Sequence, residues 1–140
     1  MIVTASAPAV APWDGPGAVR SRLEDEAATA VALLERFGDL LGVALAAAGS
    51  GDDEALEAAL AERAWVMAEL EPLLASLAAA RVRASTRVAG RRPRTLRPPV
   101  DVAALARILA PVDEALGHAR LLHERLTDEV GRRTMLALVR

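Results

Sequence analysis

From Leu23 to Ala48, apolar residues fall at 23, 27, 30, 34, 37, 41, 44 and 48, in steps that alternate four and three. That spacing draws one continuous stripe along a helix, whereas the facing residues of a strand recur at every second position. A heptad-like seam of this kind is buried against other helices. Leu33 and Leu40 lie beside it and widen the stripe, which suits a bundle in which the helix has more than one neighbour.

The same rhythm returns twice. A second stretch gives Leu56, Leu60, Arg63, Met67, Leu70, Leu74, Leu77 and Arg81, with Arg63 as its polar interior position. Arg63 is expected to pair with an acid such as Glu35 or Asp113. A third stretch gives Leu105, Leu109, Val112, Leu116, Ala119, His123, Leu126 and Val130. Pro72 and Pro111 fall inside the second and third patterns, and each removes a backbone donor, so a bend is expected at both; near Pro72 two helices could instead meet. Residues 1–17 hold three prolines and two glycines and read as a flexible N-terminal arm. Residues 18–140 read as a single helical domain, with helices at about 18–48, 53–89 and 101–138. A capping-box pattern, Ser21-Arg22-Leu23-Glu24, marks the start of the first helix, which begins there or near Ala18. Gly49-Ser50-Gly51 stops it, with Gly49 or Gly51 suited to a left-handed cap. Asp52, Asp53 and Glu54 open the second helix, and Asp101 is placed to cap the third. The short turn makes the first two helices an antiparallel hairpin. The expected fold is therefore all-α: three long helices, a hairpin plus a bent third helix packed along it.

Composition explains why the core must be helical and thin. The 140 residues include 32 Ala and 21 Leu, with only Trp13, Phe37 and Trp65 as aromatics. No uninterrupted apolar run is long enough to cross a bilayer; the nearest, Leu40 to Ala48, contains Gly42. The N-terminus has no basic segment and is broken by prolines, so it makes a poor secretory signal, and cytoplasmic residence is expected. Charge is segregated: residues 1–80 carry 13 acids and 4 Arg, residues 81–100 carry 7 Arg and no acid, and residues 101–140 carry 6 of each. The stretch 90–99, with three prolines, forms a basic joint between the second and third helices.

Catalytic chemistry finds little to stand on. There is no cysteine, and therefore no thiol nucleophile, thiolate metal site or disulfide. His118 and His123 lack ligand spacing, with His118 read as solvated and His123 as lying at a seam edge. Ser21, Ser50, Ser76 and Ser85 fall at caps or helix faces, and no phosphate-binding glycine loop occurs. Gly38 and Gly42 form a GxxxG spacing that permits close helix packing. No catalytic, cofactor or metal residue is assigned. The arginines from Arg81 to Arg97 could grip a nucleic acid or an anionic membrane surface. The acidic flank and the lack of interleaved aromatics weigh against this and favour a solubilising loop, or one that folds back on the acidic helices.

The stretch from Leu33 to Leu77 resembles the helical hairpin of bacterial flagellar export chaperones of the FlgN/FliT type. The resemblance rests on a leucine-rich first helix, the turn Gly49–Asp53, and an acidic helix carrying Glu62-Arg63 and Leu70-Glu71-Pro72-Leu73. Leu116 to Arg140 is similar to the long C-terminal helix of that family. The resemblance implies a non-enzymatic cytoplasmic chaperone that masks an amphipathic helix of hook-junction or filament-cap subunits, with the C-terminal helix as the cargo surface. The residues alone allow the same class of activity, because a bent bundle can open a groove for a partner helix. Leu122, Leu126, Val130, Met135, Leu136 and Val139 are the candidate partner-binding residues; the competing reading is that they complete the intramolecular core. A self-assembling coiled-coil subunit, a homodimer among its forms, is the alternative function, and a nucleic-acid accessory protein using Arg81–Arg97 is a third.

Overall fold

The computed structural model describes residues 16–89 and 101–139. The N-terminal arm before residue 16 and the basic joint at 90–99 lie outside the described residues. Three α-helices occupy the rest: α1 over Pro16–Ser50, α2 over Asp53–Ala89 and α3 over Val102–Val139. At 35, 37 and 38 residues each, they are about 52–57 Å long.

Local chemistry sets the ends. α1 begins at Pro16, ahead of the expected Ser21 cap. A proline at the first helical position already has the φ a helix needs, and its missing N–H is one the helix would leave unpaired. At the other end Gly51 takes φ +78°, and the Asp52 amide donates to the Ala47 carbonyl at 2.9 Å. This is a Schellman closure, and it uses Gly51 as its left-handed residue. Asp52 then caps α2: its side chain accepts from the Ala55 amide at 3.1 Å and its carbonyl from Leu56 at 3.0 Å. Asp101 does the same for α3, accepting from the Ala104 amide at 2.6 Å and, through its carbonyl, from Leu105. Both inner prolines lie within unbroken helical spans, so α2 is one helix through Pro72 and not two that meet there.

Packing is organised around α1. It lies against both α2 and α3, while those two meet through few residues. α2 runs antiparallel to α1, as the short turn requires. α3 runs parallel to α1: Arg107 and Ile108 share a groove with Arg20 and Glu24, Leu122 lies beside Gly38, and Arg133 lies beside Gly51. The order is up, down, up.

The α1 seam is buried as its spacing implies, from Leu23 through Ala30, Leu34 and Leu41 to Ala48, with Phe37 half-buried. On α2 the buried positions are Ala59, Val66, Leu70, Leu77, Ala80 and Ala84, a stripe rotated from the expected one. Leu56, Leu60, Met67 and Leu74 flank it half-buried, and Arg81 is exposed. Alanines at 59, 80 and 84 share the buried stripe with Val66, Leu70 and Leu77, and longer half-buried side chains close its edges. α3 buries Leu105, Leu109, Val112, Ala119 and Leu126, but the stripe passes through Leu122 and leaves His123 exposed. Two apolar clusters result, a larger one around Leu34, Leu70 and Leu109 and a smaller one near the hairpin turn around Leu41, Ala48, Ala59 and Leu126.

Candidate partner-binding surface

Polar side chains in this bundle tie helices together at their edges. The Ser76 hydroxyl donates to the Glu26 carboxylate at 3.0 Å between α2 and α1. Arg36 pairs with Glu62 between the same helices. Arg81 reaches Asp113 at 2.9 Å and Arg133 reaches Asp53 at 3.3 Å, both between α2 and α3. Asp113 is thus the partner of Arg81, not of Arg63, and Arg63 is half-buried at the side of the α2 stripe. Arg63 occurs in none of these pairs. Among the described residues no charged or polar side chain is buried, and no cluster of three metal-ligating side chains occurs. His118 and His123 are both exposed. The surface grooves are shallow. One of about 290 Å³ runs between the N-terminal halves of α1 and α3 past Val31, Ile108 and Pro111, and one of about 210 Å³ follows the sparse α2–α3 contact below the Arg81–Asp113 pair. What such surfaces offer chemically is apolar contact rimmed by charge.

The six residues marked out in the sequence divide into two groups. Leu126 is 4% exposed and belongs to the cluster near the turn, against which Leu122 packs half-buried. These two complete the core. Val130, Met135, Leu136 and Val139 are exposed, at 39%, 63%, 56% and 80%. Leu138 joins them at 76%; it was not among the six, although it lies in the same apolar ending, Met135 to Val139, which shows no one-sided pattern.

The absence of a pattern is itself the signal. Residues 135–139 read Met-Leu-Ala-Leu-Val, which is apolar on every side of a helix, and helical segments of that kind are ordinarily buried. Here they are not, because of register. Arg133 lies level with Gly51 and Asp53 at the hairpin turn, so residues 134–139 continue α3 by about 9 Å past the end of α1. Among the described residues no helix lies beside them to cover them. Just before them Arg132 pairs within α3 with Glu129 at 2.7 Å, and Arg133 reaches across to α2.

No helix among the described residues is long and apolar enough to cross a membrane. Comparison of the chain with protein families, with curated proteins and with solved structures finds no match.

Proposed function

We propose that this protein is a non-enzymatic helical adaptor or chaperone that binds an amphipathic helix of a protein partner. The observation that carries this reading is the projecting end of α3, where Met135, Leu136, Leu138 and Val139 are more than half exposed. Contiguous exposed apolar surface of this kind marks an interaction site, and a partner helix can cover it through contacts spaced at i, i+3, i+4 and i+7. The resemblance of the hairpin and of the C-terminal helix to flagellar export chaperones narrows the partner to an exported hook-junction or filament-cap subunit, held as a monomer in the cytoplasm before secretion.

Co-expression with such subunits, followed by light scattering of the purified species, tests the proposal. The expected result is a stable one-to-one complex that Leu138→Asp abolishes without loss of helix content. Failure of every candidate subunit to co-purify, together with pull-downs from the source cell that recover no secretion cargo or apparatus component, removes the reading.

A further inference from the structure

α2 carries a second apolar face, turned away from α1. It begins at Ala58 and ends at Val82, again in alternating steps of three and four, and every position on it is exposed. Its two largest members are Trp65, 62% exposed, and Val82, 63% exposed. The core of the bundle has no use for this face, since α2 meets α1 through the opposite stripe. A helix that is apolar on two faces has a second neighbour to satisfy.

From this face we infer that α2 pairs with α2 of a second copy, antiparallel, about a two-fold axis level with residue 70. The self-complementarity of the face selects that occupant. An isologous pair makes residue i of one copy meet residue j of the other and the reverse. With the axis at that level, Trp65 faces Ala75, Val82 faces Ala58, Ala61 faces Ala79 and Ala68 faces Pro72. Each large side chain thus meets a small one, and alanines elsewhere let the helix axes approach to about 8 Å. Charge agrees with the same direction. Side chains on a helix lean toward its N-terminus, so on one edge Glu62 of each copy, which also pairs with Arg36 of its own chain, leans toward Arg83 of the other. A parallel pair would instead set Glu62 and Glu69 against their own copies. On the other edge Glu71 meets its own copy near the axis, a solvated repulsion that weakens the pair.

Size sets the strength. A seam from residue 58 to residue 82 is about 36 Å long, and a strip about 11 Å wide along it buries roughly 400 Å² per copy. That is half the ~800 Å² per partner of a standard stable interface. The dimer is therefore a concentration-dependent one, and it leaves the end of α3 free.

Two measurements on the full chain test it. Sedimentation equilibrium from about 10 μM to about 1 mM should show a monomer–dimer equilibrium, and Ala68→Glu, which sets a carboxylate at the centre of the seam, should weaken it at least about tenfold. Position 68 is exposed in the monomer, so unchanged helix content by circular dichroism confirms that the variant is folded. Because the chain has no cysteine, disulfides can be placed at will. Oxidising a mixture of Ala61→Cys and Ala79→Cys chains should give mainly the mixed 61–79 cross-link, with little covalent dimer from either chain alone. A mass that stays monomeric throughout, or same-site cross-links in excess of the mixed one, overturns the inference. So does self-association that survives Ala68→Glu but is lost in Leu138→Asp, which would place the contact on α3. The adaptor reading does not depend on the outcome, since its own test reads capture of a partner.

Discussion

Gly51 and Gly42 show how differently one residue type acts at two places in this chain. At Gly51 the backbone sits at φ +78°, where a β-carbon is strained whatever the space around it. Gly51→Ala is expected to lower stability by about 1–2 kcal/mol and the melting temperature with it, measured by thermal denaturation. Gly42 lies inside α1, exposed, with nothing within 4 Å of where a β-carbon would stand. Its flexibility serves no contact there, so Gly42→Ala is expected to stabilise by about 0.5–1 kcal/mol in the same assay. The GxxxG spacing of Gly38 and Gly42 therefore does not mark a close helix crossing: a β-carbon at Gly38 would meet Leu122 at an ordinary 3.6 Å. Motif spacing carried no information about what stood opposite, and only the register of α3 supplied it.

Among the elements, α1 bears the largest share of the packing, because both other helices lie on it and only sparsely on each other. Leu41, fully buried in α1 at the turn end, is expected to cost about 2–5 kcal/mol when cut to alanine, as read by urea denaturation. The seam of α1 was legible because its large apolar residues, Leu23, Leu34, Phe37 and Leu41, fall in one phase, with Leu33 and Leu40 directly beside it. That of α2 was not, since an Ala-rich helix offers apolar residues at several phases: the expected series through Leu60, Met67 and Leu74 and the buried one through Ala59, Val66 and Ala80 share only positions 70 and 77. Ranking by side-chain size favours the leucines, whereas the bundle buries Ala59, Ala80 and Ala84. His123 was misplaced for a related reason: the α3 stripe passes through Leu122, and the 3.6-residue turn drifts away from a strict heptad over such a length. The caps of α2 and α3 were legible because caps are local: Asp52 and Asp101 meet amides a few residues away, whereas α1 runs from Pro16 through Gly49 to Ser50.

At the scale of the whole molecule, the register between α3 and the hairpin decides which apolar residues are core and which are surface. Leu126 sits against α1 and is covered; Leu138, three turns further on, projects past the hairpin turn and is 76% exposed. Both are large, apolar and on one helix, and sequence alone could not set where α1 ends beside them. The division makes stability and capture separable. Removing residues 134–140 takes away no buried side chain among those described and leaves the Arg133–Asp53 pair in place. Surface changes of this kind stay within about 0.5 kcal/mol, so the truncated chain is expected to melt within a few degrees of the full one while losing capture of its partner helix. Leu126→Ala should do the reverse: it opens the cluster near the turn, costing about 2–5 kcal/mol, and leaves the projecting end chemically intact. Thermal melts of both variants beside the co-purification assay measure the two effects. If the truncation melts far below the full chain, residues 134–139 belong to the core after all, and if the truncated chain still captures the partner, the binding surface lies elsewhere on the bundle.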